Sequence, residues 1–297
     1  PPAVAGARTP RRPAARRGPA PGRTPIRNGR AGRGGGAAVV DPPTETADDF
    51  SGTTEELLAE IERLTEENRA HRSRETERRL LQLRHLAGIR LLDAAAGSPE
   101  HPSPDFAGLP AADGLPEFAR EDVSPQLLRA GILRDGCLLV RGLVDREEAL
   151  RFADQIDRSF AERERHDLGE SAAEGYYEEF KPHPRYGDVN VRPWVREGGG
   201  VLATDAPMLT FEMIEMFRAG GLRRLVEAYL GEPPIFTVHK TTLRKAVPEV
   251  PGAWHQDGAF MGEVRALNLW LSLSRCGDES PGLDIVPRRL DHLVRAQ

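Results

Sequence analysis

The sequence predicts a β-sheet with helices packed against it, preceded by a helical segment and a disordered tail, and three observations predict it. Residues 265–273 alternate strictly, with leucine at every second position, which is the period of a strand with one buried face. Residues 235–244 are rich in β-branched side chains and also change over at period 2. The third observation is a change of character along the chain. Residues 1–50 hold Pro, Gly, Ala and Arg with almost no large apolar residue, whereas residues 54–93 contain no proline and no glycine before Gly88.

At 297 residues and 39% hydrophobic content, the chain is long enough for two average domains or one large one with appendages. No apolar run approaches the roughly 20 residues that span a bilayer, and the N-terminus lacks the apolar stretch of a signal peptide, so a cytoplasmic protein without a membrane partner is expected. Cys137 and Cys276 have no metal-ligand spacing and give no disulfide framework, which agrees with a reducing compartment. The net charge of -5 conceals an asymmetry. Residues 1–36 carry nine arginines and no acid, leaving 32 basic against 46 acidic residues in the remainder. An acidic body argues against a nucleic-acid surface there, and the basic arm lacks the interleaved aromatics that stack on bases.

In chain order, residues 1–50 cannot bury enough apolar surface to offset the entropy of ordering, so a disordered tail is expected. Thr53 and Glu56 have capping-box spacing and open a helical segment over 53–96. Leu57, Ile61 and Leu64 form one stripe, and Leu80, Leu83, Leu86 and Leu91 belong to a second. Because residues 66–79 between them are nearly all polar, a helical hairpin, a short helix that pairs with a second copy, and a solvent-facing helix all remain open. Six prolines between Pro99 and Pro125 mark a linker over about 97–120, and the main domain follows over 121–297.

Within that domain, Ser124-Pro125 is an N-cap followed by proline at the first helical position, with Gly131 or Asp135-Gly136 as the stop. Cys137-Leu138-Leu139-Val140 reads as a buried strand. Asp145 and Glu148 open a further helix, with Ala149, Phe152, Ala153, Ile156 and Phe160 on one face. Periodicity is lost over 166–205, which reads as a long loop of the kind that forms lids. Asp205-Ala206-Pro207 caps the next helix, and a second ends at Gly231 before Pro233-Pro234. The strand at 235–244 places Lys240, Thr242 and Arg244 on one face, which suits an anionic small molecule. Leu267, Leu269, Leu271 and Leu273 should pack on the helices, leaving Asn268 and Trp270 on a mixed face lining a pocket. Leu283-Asp284-Ile285-Val286 closes the list of strands.

The chemistry concentrates at Trp254-His255-Gln256-Asp257. In a strand, His255 and Asp257 emerge on the same face, and an imidazole with a carboxylate is two-thirds of the 2-His-1-carboxylate face that binds Fe(II). Taken with the strand at 269–273, the turn and strand Gly282-Leu283-Asp284-Ile285-Val286-Pro287, and the upstream segment Asp135-Gly136-Cys137-Leu138-Leu139-Val140-Arg141-Gly142, the chain resembles the phytanoyl-CoA dioxygenase family of Fe(II)- and 2-oxoglutarate-dependent oxygenases over about 120–297. The resemblance implies a mainly β fold, a double-stranded β-helix (jelly roll, cupin-like) with helices outside. It implies His255 and Asp257 as iron ligands and catalytic residues. It also places Gln256, Trp270, Lys240, Thr242, Arg244 and Asn268 near the co-substrate 2-oxoglutarate, with O2 as oxidant and hydroxylation of a small organic substrate as the outcome.

The distal iron histidine and the basic residue that holds the far carboxylate of 2-oxoglutarate find no match before Gln297. The sequence therefore reads as a fragment, incomplete at the C-terminal side of the jelly roll. His292, the one histidine after Asp257, follows Pro287-Arg288-Arg289, where relatives have a short turn. The rival expectation is a non-catalytic jelly-roll binding or scaffold protein assembling as a homo-oligomer through the helix at 54–93. Nucleic-acid binding through the 1–36 arm is the remaining alternative.

Overall fold

The computed structural model describes residues 50–111, 114–170, 175–246, 254–257, 265–278, 280–292 and 294. The chain divides into two compact units, residues Pro1–Glu45 and Thr46–Gln297. The expected disordered tail and its basic arm lie outside the described residues, as does the Pro248-Pro251-Gly252 break, so the architecture below is that of the second unit.

The segment at 54–93 is a helical hairpin. Helix α1 (Thr54–Ala70) begins with the complete capping box, Thr53 Oγ1 accepting from the Glu56 N–H and Glu56 accepting from the Thr53 N–H. Helix α2 (Arg74–Ala94) is capped by Ser73. The turn, His71 to Ser73, falls within the polar stretch between the stripes. Asn68 and Glu77 are buried there, the Asn68 amide donating to Glu77 at 3.1 Å and accepting from the Ser73 N–H at 2.9 Å. The two leucine stripes meet inside this hairpin.

Ser124 and Pro125 start α3 (Pro125–Asp135), which Gly136 ends in the left-handed conformation at φ 81. Asp145 caps α4 (Arg146–Asp167) by accepting from the Glu147 and Glu148 N–H groups. The 166–205 stretch is not a featureless loop in its described part. It holds α5 (Arg192–Glu197), and Tyr176, Tyr177, Phe180, Val189, Val195 and Val201 are buried. Helix α6 (Pro207–Ala219) and α7 (Leu222–Leu230) follow. Pro207 takes the first turn as expected, but Asp205 does not cap α6, because its carboxylate is claimed by Arg192.

Helix α6 is the centre of the unit. Leu209, Met213, Met216 and Phe217 pack with Phe152 and Ile156 of α4, and Phe211 joins Leu57, Leu64, Leu80, Leu83 and Ala87 of the hairpin. At about 25 cal/mol per Å² of apolar surface, side chains of this size each contribute about 1.5–3 kcal/mol by burial. The stripe that was a candidate for pairing with a second copy is thus covered within the chain.

The mainly β, jelly-roll expectation is overturned. The described strands are β1 (Glu117–Ala119), β2 (Leu139–Arg141), β3 (Gly200–Leu202) and β4 (Thr242–Arg244), in two separate two-stranded sheets. Strands β1 and β2 are parallel, and β3 and β4 antiparallel with Gly200 opposite Arg244. The remaining strand expectations contract accordingly: 235–244 yields β4 alone, Cys137–Val140 shifts to β2, and 254–257, 265–273 and 283–286 form no ladder. Alternation shapes a segment locally, but a strand also needs a hydrogen-bonding neighbour, and here helices occupy the core. Leu271 and Leu273 still turn inward, against the α4 and α6 cluster, while Leu269 stays exposed.

Candidate functional site

The four described residues at 254–257 belong to no helix or strand and end in a turn at Asp257. His255 Nε2 and Asp257 Oδ1 stand 3.6 Å apart. The side-chain amide of Asn268 donates to Asp257 Oδ2, so one carboxylate oxygen is held and the other faces the imidazole. Asn268 comes from the alternating 265–273 segment and is exposed, whereas Leu271 and Leu273 pack inward.

A second group lies around Arg244 at the end of β4. Its Nε donates to Thr242 Oγ1 at 3.1 Å, two residues back on the same face. Its guanidinium lies over the rings of both Trp194 and Trp270, 5.6 Å from each centroid, and Lys240 Nζ lies 5.3 Å from the centroid of Trp194. Burial of part of the side chain lowers the Arg244 pKa, and the negative charge of Asp257 opposes that shift, which couples the two groups electrostatically.

Of the residues expected at the site, His255, Asp257 and Asn268 are brought together, and Lys240, Thr242, Arg244 and Trp270 form the adjoining cation-aromatic group. Gln256 is placed elsewhere: its amide donates to the His292 carbonyl at 3.1 Å and accepts from the Val294 N–H at 2.6 Å. Strict alternation would point it away from its neighbours' face. Among the described residues, no three His, Cys, Asp or Glu side chains are grouped to hold a metal, which leaves His292 apart from the His255–Asp257 pair.

Trp194 is the residue that sequence reasoning missed. It sits on α5, which Pro193 helps to start, and α5 is fixed by a buried ion pair. Arg192 donates from Nε to Asp205 Oδ2 and from Nη2 to Oδ1, both at 2.8 Å, and from Nη2 to the Phe180 carbonyl at 2.6 Å. Asp205 is 1% exposed and also accepts from the Phe180 N–H at 2.8 Å. Beside it, Tyr177 has its pKa pushed up to about 12, first by burial and then by the charges of Asp205 and Glu179. The only sequence signals for this arrangement were the aromatic content of 166–205 and Pro193.

No family model, curated protein or solved structure matches this chain.

Proposed function

We propose that this chain carries an Fe(II) site of a 2-oxoglutarate-dependent oxygenase that hydroxylates a small organic substrate. The observation that supports the reading is the 3.6 Å separation of His255 Nε2 and Asp257 Oδ1, with the second carboxylate oxygen held by Asn268. At that separation both side chains would reach a single ion after a small rotation. A neutral imidazole and a hard carboxylate suit Fe(II), and the pair is read from its own chemistry rather than from the fold.

When bound, iron with 2-oxoglutarate and O2 would supply the oxidising power for C–H hydroxylation. The chain's residues do the rest. Asp257 offsets part of the metal charge, and Asn268 fixes the carboxylate's orientation, as partners of metal ligands commonly do. Arg244 places positive charge beside Asp257, where an anionic ligand would enter, and Trp270 forms an apolar wall next to it. His255 and Asp257 would hold the ion, and a third donor would have to come from outside the described residues.

The test is O2-dependent conversion of 2-oxoglutarate to succinate by the iron-loaded full chain. The wild type forms succinate, and Asp257→Ala and His255→Ala do not. Equal rates in wild type and Asp257→Ala would refute the reading.

A further inference from the structure

The group around Arg244 has features that metal binding does not use. Trp194 and Trp270 come from distant parts of the sequence, yet both stand over the same guanidinium, and they remain 54% and 57% exposed. Large apolar rings are usually covered, so two half-exposed indoles converging on one cation form a surface suited to a flat partner. Arg244 itself is partly held in place: its Nε donates to Thr242 Oγ1, and its guanidinium lies over both rings. Its two terminal nitrogens have no acceptor among the described residues, which leaves a pre-aimed fork of donors with the geometry of a carboxylate clamp. The residue is exposed overall, but enough of the guanidinium is shielded to lower its pKa, and an incoming anion would relieve that cost. Lys240, over the same Trp194 ring, adds a second positive charge.

We propose that Trp194, Arg244 and Trp270, with Lys240 beside them, bind a flat organic carboxylate, the acid on the arginine fork and the planar body against the indoles, and that this anion is the substrate. Naming it the substrate rests on the oxygenase reading; the binding itself does not. A carboxylate at Arg244 could also come from 2-oxoglutarate, whose carbon chain is aliphatic. The two sources differ in what the indoles contribute.

The experiment titrates the metal-free full chain with 2-naphthoate, 2-naphthalenemethanol and 2-oxoglutarate by ligand-observed NMR. The expected result is that 2-naphthoate binds, that the neutral alcohol binds about tenfold or more weakly, and that 2-oxoglutarate does not displace the naphthoate. Arg244→Gln should weaken naphthoate binding about tenfold, and Trp194→Ala or Trp270→Ala about fivefold each. Arg244→Lys, which keeps the charge and loses the fork, should fall between wild type and Arg244→Gln and guards against a folding artefact, with circular dichroism as a further check. Unchanged binding in Arg244→Gln, absence of naphthoate binding, or displacement by 2-oxoglutarate at equal affinity would each overturn the proposal. Retained naphthoate binding without succinate formation would refute the iron reading alone, because the titration is done without metal.

Discussion

Replacing Asp205 by alanine should destabilise the fold by about 3 kcal/mol or more, and the reason lies in what the substitution strands. Breaking a buried ion pair by removing one partner costs about 3–5 kcal/mol, because the remaining charge is left without compensation. Asp205 is 1% exposed, and it accepts two bonds from Arg192 and one from the Phe180 N–H. The Arg192 side chain is 19% exposed, so water can reach it in part, which places the expected loss toward the lower end of that range. Asp205→Asn keeps the volume and one acceptor oxygen and should lose about half as much. Equilibrium unfolding in urea, followed by circular dichroism, measures both. A double-mutant cycle with Arg192→Ala should give a coupling of about 2 kcal/mol. The same pair anchors α5, so naphthoate binding at Trp194 should weaken in step. A loss under about 1 kcal/mol for Asp205→Ala would show that the pair does not hold this region together.

Two further outcomes follow from the packing around α2. His85 Nε2 accepts the His183 N–H at 3.1 Å, and burial, followed by the neighbouring His183 and His239, depresses its pKa below the usual 6.5. A histidine depressed in the fold contributes fully above the unfolded value and loses that contribution as pH falls from about 6.5 toward the folded value, since the unfolded chain takes the proton first. The urea midpoint should therefore drop between roughly pH 7.5 and 5.5, and His85→Gln should flatten that drop; an identical slope in the variant would refute the assignment. Phe211 is 3% exposed and is the α6 residue that packs into the hairpin, with the guanidinium groups of Arg72 and Arg84 over its ring. Phe211→Ala should cost about 3–5 kcal/mol in the same unfolding assay, and a loss below about 1 kcal/mol would mean that the hairpin does not depend on this contact.

Local signals in the sequence proved reliable where the physics is local. The Thr53 capping box, Ser124-Pro125, Gly136, Asp145 and Gly231 all mark helix ends because each satisfies terminal backbone groups within a few residues. The break at His71 to Ser73 was not legible as a turn, because it uses neither Gly nor Pro and is closed by the buried Asn68–Glu77 contact. Alternation over 265–273 correctly separated Leu271 and Leu273 from Asn268 and Trp270, but it could not report that no strand among the described residues would pair with them. That step from extended segment to sheet is where the jelly-roll expectation failed. At the site, spacing alone brought His255 and Asp257 together. Trp194 was invisible because its place depends on Arg192 reaching Asp205, thirteen residues away in a segment without periodicity.

The most direct test of the central claim is an anaerobic titration of the full chain with Fe(II) and 2-oxoglutarate, following the weak visible charge-transfer band of an iron-bound 2-oxo acid. The wild type should develop the band at one iron per chain, His255→Ala and Asp257→Ala should not, and Asn268→Ala should weaken iron binding by about tenfold through loss of the carboxylate's fixed orientation. A band of equal intensity in the His255→Ala and Asp257→Ala variants, or none in the wild type, would contradict the assignment of this pair as the iron ligands.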